Sequence, residues 1–228
     1  MSLVKSPTQA RRPGEGIGAR KARFVVLVSG NGGNLQALLD AIAAGAVNAS
    51  IILVVSSDPD AFALKRAEAA GIPSIALPYN RDPRVEREAS RIAFDARLAD
   101  EISARDPDYI FLLGWMRILG MAFIGRFPGK IVNLHPALPG CFPGTHAIER
   151  AWEACARGES SETGVMTHFV PDELVDAGPV ILSESVKMKA NETLADFEFR
   201  MHETEHELVV KTARMLASIA AGDGKGER

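Results

Sequence analysis

Short apolar segments alternate with helical patterns along most of the chain, and this alternation restricts the possible folds more than any other feature. The apolar segments are continuous, which is typical of parallel strands covered on both faces. We predict strands at 24–28, 50–55, 72–77 and 109–113, with helices at about 34–44, 61–70 and 88–105 between them. This order predicts an α/β fold, a doubly wound and mostly parallel sheet with helices on both faces.

The last third of the chain has a different pattern. Residues 163–170 alternate between apolar and polar side chains, as an antiparallel strand does, and residues 179–188 supply its partner. A long helix is then predicted from about 192 to 221. We divide the chain into a disordered basic tail at 1–22, a single domain at 23–221 and a flexible tail at 222–228.

Composition argues against several classes of function. The 228 residues are 46% apolar, enough for one full core, and no apolar run is long enough to span a membrane. A net charge of −3 and a pI near 6.0 give no basic surface for nucleic acid or an anionic membrane. The two cysteines, Cys141 and Cys155, are too few for a disulfide framework. We therefore expect free thiols and a cytoplasmic protein.

A glycine-rich loop, Ser-Gly-Asn-Gly-Gly-Asn at 29–34, follows the first predicted strand and leads directly into a helix. Glycines let the backbone approach a ligand closely, and the free N–H groups at a helix start favour a phosphate. The spacing matches neither the dinucleotide-binding fingerprint nor the triphosphate-binding loop. We favour a site for a phosphate monoester. The alternative is a tight turn that needs glycine for steric reasons alone.

Asn133 and His135 follow the apolar residues 131–132 at the end of another predicted strand. Because side chains alternate along a strand, both should point to the same face. A loop rich in proline and glycine follows at 136–144, and such stiff loops hold functional groups in place. An imidazole beside a carboxamide can transfer a proton and stabilise an oxyanion. The alternative is a capped strand end with one buried, hydrogen-bonded histidine.

Two further segments are expected at the same edge, because ligands of open α/β sheets bind beyond the carboxyl ends of the strands. Trp115, Met116, Ile118 and Leu119 follow the most apolar strand and either belong to the core or line a site for a flat aromatic ligand. Residues 171–178 form an acidic loop between the antiparallel strands. One of its carboxylates could reach a histidine and raise its basicity. The alternative is an ordinary exposed turn.

The last predicted helix contains His-Glu-Thr-Glu-His at 202–206, which matches the zinc-binding pattern of many peptidases. Two histidines four residues apart share a helix face and can ligate one metal. A catalytic zinc needs a third protein ligand, and beyond this helix only Asp223 and Glu227 follow in a glycine-rich tail. A zinc peptidase is therefore the less favoured interpretation.

Six motifs occur in order along the chain: SGNGGNLQA from Ser29, SRIAFD from Ser90, MRIL from Met116, NLHPALPG from Asn133, DAGPVI from Asp176 and EH at Glu205. Together they resemble the phosphoribosylglycinamide formyltransferase family, over residues 23 to about 221. The resemblance implies a Rossmann-like formyltransferase fold. It also implies that the formyl group of 10-formyltetrahydrofolate, a co-substrate, passes to the amine of glycinamide ribonucleotide in purine biosynthesis.

The resemblance further implies roles for individual residues. The implied catalytic residues are Asn133, His135 and Asp176. The implied contacts of the ribonucleotide are Gly32, Gly33, Asn34, His202 and Glu205. The implied contacts of the reduced folate are Arg91, Met116, Arg117, Ile118, Leu119, Pro171, Asp172, Glu173, Leu174 and Val175. No metal is implied, so the zinc-like pattern becomes a coincidence.

The chain departs from the family pattern at several places. Gly33 stands where many relatives have serine, and His202 stands where glutamine is more common. The acidic loop is about one residue longer than usual. The loop before Arg91 is also extended, which leaves Arg84 and Arg87 as rivals for the role of Arg91.

Acyl transfer to an amine passes through a tetrahedral intermediate, which needs an oxyanion donor and a proton acceptor. Our hypothesis is that Asn133 and protonated His135 stabilise the oxyanion while Asp176 supports the imidazolium. The alternatives are a hydrolase of the formyltetrahydrofolate deformylase type and a folate- or nucleotide-binding protein without catalysis. We expect only small-molecule partners, neither nucleic acid nor membrane, and a monomer or homodimer.

Overall fold

The computed structural model describes residues 20–80, 83–189 and 191–222, and there it confirms the predicted α/β class. Seven strands form one sheet in the order β3-β2-β1-β4-β5-β6-β7. Strands β1 to β5 pair in parallel, whereas β6 and β7 are antiparallel, as predicted. The strands are β1 (Ala22–Val28), β2 (Ala49–Ser56), β3 (Ser74–Ala76), β4 (Tyr109–Leu112), β5 (Ile131–His135), β6 (Glu162–Phe169) and β7 (Val180–Lys187).

Helices cover both faces of the sheet, and each face has its own apolar core. Leu38 of the first helix and Val209 of the last pack in one cluster, whereas Leu98 and Phe123 belong to the other. Successive side chains along a strand, such as Val25 and Val26 of β1, belong to different clusters, as expected for a sheet buried on both sides. The helices are α1 (Gly33–Ala43), α2 (Phe62–Ala69), α3 (Arg87–Ser103), α4 (Met121–Ile124), α5 (Ala147–Ala156) and α6 (Leu194–Ala221).

One predicted apolar face is partly wrong. The apolar residues of the helix predicted at 88–105 are Ile92, Phe94, Leu98 and Ile102, which the sequence places on one buried face. In α3, however, Ile92 is 49% exposed. Residues spaced by four share a helix face, and Ile92 lies two residues from Phe94, on the opposite side. Asp95 is buried instead, and its carboxylate accepts a hydrogen bond of 2.7 Å from the N–H of Gly120.

The described structure begins slightly before the predicted domain start at 23, and α6 ends at the predicted limit, Ala221. Arg20 forms an ion pair of 2.7 Å with Asp108, and β1 begins at Ala22. The rest of the predicted tail at 1–22, and most of 222–228, lie outside the described residues. Both cysteines are free thiols. In the described segments we find no helix with the length and apolar character that a membrane span requires.

We predict that Gly178→Ala lowers the free energy of unfolding by about 2 kcal/mol or more, because the backbone has to move to admit the new methyl group. A Cβ on Gly178 would collide with the carbonyl oxygen of Phe169 and lie 2.9 Å from Cδ of Pro171. Urea denaturation followed by circular dichroism measures the change.

Gly30→Ala is the matched control, since a Cβ there would meet nothing within 4 Å. It should unfold within about 1 kcal/mol of the unaltered protein. Equal stability of the two variants would contradict the close approach at Gly178.

Candidate active site

Asn133 and His135 lie at the carboxyl end of β5, and both side chains reach the same carboxylate. Nδ2 of Asn133 donates to Oδ1 of Asp176 at 2.9 Å. Nδ1 of His135 lies 3.3 Å from Oδ2 of Asp176. Three residues taken from two separate sequence motifs are therefore in contact, and the predicted side-chain alternation in β5 accounts for the shared face.

Asp176 reaches this position from the loop between β6 and β7. Its backbone is left-handed, with φ of 54°, a conformation that Asp adopts more readily than most residues. Its side chain is only 8% exposed. The N–H of Gly144, in the loop before α5, donates to Oδ2 at 2.8 Å. The carboxylate is therefore buried and held by donors from several segments of the chain.

His168 completes this network, although the sequence analysis did not single it out. It stands directly opposite Asn133 in the pairing of β5 with β6. Its Nε2 lies 3.1 Å from Nδ2 of Asn133 and 3.5 Å from Oδ1 of Asp176. Its Nδ1 lies 2.9 Å from the carbonyl oxygen of Phe169, which can only accept, so Nδ1 carries a proton. A histidine within the alternating run at 163–170 was the available signal, but its partner depended on strand register.

Asp176 and His135 both have shifted pKa values. Burial opposes the charge of Asp176, but His168, the N–H of Gly144 and His135 outweigh it, so the pKa of this carboxyl lies below its usual value. Burial lowers the pKa of His135 below that of a free imidazole, although Asp176 acts in the opposite direction. At neutral pH we therefore expect an ionised Asp176 beside a neutral His135.

The proline-rich loop returns over the His135 ring. Nε2 of His135 lies 3.2 Å from the carbonyl oxygen of Phe142, and Phe142 itself has a left-handed backbone. Both ring nitrogens thus face oxygen acceptors, Asp176 on one side and Phe142 on the other. The site disfavours charge on His135 by burial, yet it provides an acceptor for each proton of an imidazolium.

The glycine loop forms the second part of the site. Gly32 is left-handed, with φ of 78°, and it caps α1; the first helical bond runs from the N–H of Gln36 to its carbonyl. The N–H groups of Gly33, Asn34 and Leu35 consequently have no partner within the helix. A helix start with free N–H groups and a positive dipole end suits an anion.

Helix α6 contacts this glycine loop with the face that carries the zinc-like pattern. A Cβ built on Gly33 would lie 3.1 Å from Nε2 of His206. One turn earlier, Nδ1 of His202 lies 2.6 Å from Oε2 of Glu205, a buried carboxylate. This hydrogen bond is the main cause of a raised pKa of His202. The expected ribonucleotide contacts from the loop and from α6 therefore lie on neighbouring elements.

The segment after β4 divides between core and surface. Trp115 and Leu119 are buried, whereas Met116 is 70% exposed and Ile118 is 59% exposed. The N–H of Met116 donates to Oγ of Ser29 at 3.0 Å, which ties this segment to the start of the glycine loop. Trp115 and Leu119 thus belong to the core, and the exposed Met116 and Ile118 are the residues of this segment for which ligand contact stays a prediction.

The other expected folate contacts meet around Arg91. Its guanidinium pairs with Glu88 at 2.8 Å and with Glu173 of the acidic loop at 3.0 Å. Glu173 also accepts from the N–H of Met121 at 3.0 Å, at the start of α4. Two segments expected at the folate site, around Arg91 and Glu173, therefore meet the start of α4 in one ion-pair cluster.

The remaining residues expected at the folate site lie in a groove beside Arg91 and in the acidic loop. Arg117 stacks on Tyr79, with its guanidinium carbon 4.1 Å from the ring centroid, and both line a groove with Arg87 and Arg91. In the acidic loop, which begins at Pro171, the side chain of Asp172 accepts a hydrogen bond from the N–H of Leu174. The side chains of Leu174 and Val175 are exposed. Arg87 and Arg91 both line this groove, so either guanidinium is placed to contact an anionic ligand there.

Comparison with known proteins decides the family. A sequence profile described as formyl transferase matches residues 22–213. The chain belongs to the formyl transferase family. This family member is 39% identical to phosphoribosylglycinamide formyltransferase of Saccharomyces cerevisiae, over 87% of this chain and 99% of the relative. It is also 39% identical to the Escherichia coli enzyme of the same name, over 80% of this chain and 81% of the relative.

Solved structures agree with this assignment. Glycinamide ribonucleotide transformylase 1 from Geobacillus kaustophilus superposes on the formyl transferase described above with a TM-score of 0.77 and 36% identity. The match covers 86% of this chain and 99% of the other. The predicted Rossmann-like formyltransferase fold is thereby confirmed. The comparisons favour neither the zinc peptidase nor the deformylase interpretation.

We predict that Asp176→Asn lowers the pKa of His135 further, because the carboxylate that stabilises the imidazolium loses its charge. NMR titration of the ring protons measures this pKa without any substrate. In the unaltered formyl transferase the midpoint should already lie below that of a free imidazole. A higher His135 pKa in Asp176→Asn than in the parent would contradict this electrostatic coupling.

Proposed function

We propose that the protein transfers the formyl group of 10-formyltetrahydrofolate to the amine of glycinamide ribonucleotide, a step of purine biosynthesis. The names of its relatives support this reaction. The observation that carries the proposal is the buried contact of Asn133, His135 and Asp176 at the strand end nearest to the acidic loop. Such a group suits acyl transfer without a covalent enzyme intermediate.

In the proposed reaction the substrate amine attacks the formyl carbon directly. A new C–N bond forms, the carbonyl oxygen becomes an oxyanion, and the bond from the formyl carbon to N10 of the folate then breaks. The proton lost by the amine finally reaches N10. Neutral His135 is the proposed proton acceptor, because its lowered pKa leaves the ring unprotonated at neutral pH. Our sequence-based hypothesis assigned stabilisation of the oxyanion to the protonated ring, and in this proposal the proton transfer from the amine produces that form.

Asp176 and Phe142 act on the imidazolium that forms after this proton transfer. Each supplies an acceptor, at 3.3 Å and 3.2 Å from the two ring nitrogens. The direction of a ring N–H is fixed by the ring plane, so Nε2 reaches the substrate only if the whole His135 ring rotates away from the Phe142 carbonyl. Asn133 must likewise give up a hydrogen bond before it can donate to the oxyanion, since the two hydrogens of Nδ2 are within reach of Asp176 and His168. Binding of the formyl group therefore competes with existing hydrogen bonds.

The two substrates are proposed to enter from opposite sides of this group. The phosphate of the ribonucleotide binds the N–H groups that follow Gly32, and His202 and Glu205 contact the rest of that molecule. The reduced folate lies along Met116 and Ile118, toward Arg91. A cytoplasmic location, a monomeric or dimeric state and the absence of nucleic-acid or membrane partners remain predictions.

We predict that tetrahydrofolate forms only when both the formyl donor and glycinamide ribonucleotide are present. His135→Ala should lower kcat at least about a hundredfold, because the proton acceptor is lost, while substrate binding stays near normal. Absorbance assays give kcat, and equilibrium titration gives the affinities.

Arg157→Ala is a suitable control, since its ion pairs with Glu153 and Glu159 lie at the surface and should contribute little. Turnover of the formyl donor without the amine would indicate a hydrolase instead. Unchanged kcat in His135→Ala would contradict the proposed role of His135 as the proton acceptor, and a parent protein without turnover would leave only a binding function.

A further inference from the structure

The guanidinium of Arg66, in α2, donates hydrogen bonds to the glycine loop and to α1. Its Nε donates to the carbonyl oxygen of Asn31 at 2.9 Å, and Nη2 donates to the side-chain oxygen of Asn31 at 2.8 Å. Its Nη1 donates to the side-chain oxygen of Gln36, in the first turn of α1, at 3.1 Å. The three acceptors are uncharged amide oxygens, so these bonds leave the positive charge of the guanidinium uncancelled.

Helix α2 supports the same loop at two further points. The N–H of Ala63 donates to the carbonyl oxygen of Gly30 at 3.1 Å. A Cβ built on Gly32 would lie 2.7 Å from Cβ of Ala63 and 3.5 Å from Cδ of Arg66. The loop backbone therefore lies directly against α2, and its conformation depends on that helix.

The bond to the Asn31 carbonyl determines where one N–H group points. The carbonyl of Asn31 and the N–H of Gly32 belong to the same trans peptide plane, in which the oxygen and the hydrogen point in opposite directions. Because Arg66 holds the oxygen toward α2, the Gly32 N–H points away from α2. The bond to the Gln36 side chain joins Arg66 to the first turn of α1, where the N–H groups of 33–35 have no partner within the helix.

We propose that Arg66 is a positioning residue for the phosphate site, which aims the N–H groups at 32–34 and places a positive charge behind them. This inference rests on the proposed binding of the ribonucleotide phosphate to the glycine loop. The chain has glycine at position 33, so no hydroxyl group is available there to hold the phosphate. Phosphate affinity consequently depends on the direction of the backbone N–H groups and on nearby positive charge.

The test compares steady-state kinetics with glycinamide ribonucleotide and with its phosphate-free riboside. Arg66→Ala should raise KM for the ribonucleotide by about tenfold and leave kcat within about threefold. The phosphate is held equally in the bound substrate and in the transition state, so its loss weakens binding without slowing the chemical step. KM for the formyl donor and kcat/KM for the riboside should stay unchanged. The inhibition constant of inorganic phosphate should rise by a similar factor.

Further variants separate positioning from general damage to the fold. Arg66→Lys keeps the charge and one donor, so its KM should lie between those of the parent and Arg66→Ala. Asn31→Ala removes the side-chain oxygen but keeps the carbonyl bond, so its KM should change less than that of Arg66→Ala. Lys65→Ala is the matched control, since Lys65 is an exposed cation on the same helix and lies over the same Phe62 ring as Arg66. It should behave as the parent.

Two results would overturn the positioning role: unchanged ribonucleotide KM in Arg66→Ala, or equal losses of kcat/KM with the ribonucleotide and the riboside. Absence of formyl transfer to the ribonucleotide by the unaltered protein would refute the proposed function instead. In that case calorimetric titration with inorganic phosphate still tests Arg66, and equal affinity of the parent and Arg66→Ala would refute its role.

Discussion

The buried carboxylate of Asp176 is the group on which the rest of the site depends. Removing a carboxylate from water costs several kcal/mol unless donors replace the lost hydration. The donors come from β5 and from the loop before α5, through Asn133 and Gly144, and His168 of β6 lies beside the same carboxylate. These segments must therefore meet at one point before the carboxylate can stay ionised. The site is complete only when the parallel and antiparallel parts of the sheet are joined.

The loop between β6 and β7, which carries Asp176, connects the catalytic group to the expected folate site. Asp176 lies at one end of it, and Glu173, three residues earlier, pairs with Arg91 and accepts from the start of α4. At the other side, the bond between Ser29 and the N–H of Met116 links the glycine loop to the segment after β4. The loop between β6 and β7 thus joins the expected folate site to the catalytic group, and the Ser29 bond joins the two proposed substrate sites to each other.

Much of this arrangement follows from local sequence patterns. The alternation of apolar and helical segments predicts the parallel sheet, and the spacing of Asn133 and His135 predicts their common face. The contacts of His168 and Arg66 could not be predicted in this way, because they depend on strand register and on the packing of α2 against a loop. The exposure of Ile92 was misjudged because an apolar residue type was given more weight than its helical position.

The most direct measurement is a double-mutant cycle on kcat with Asn133→Ser, Asp176→Asn and the combined variant. Residues that act through one shared network lose activity together, so the second substitution should cost little once the first is made. We expect the combined variant to be no more than about threefold slower than the slower single variant. Losses that multiply across the two positions would show that Asn133 and Asp176 act independently, contrary to the shared network around the transferred carbon.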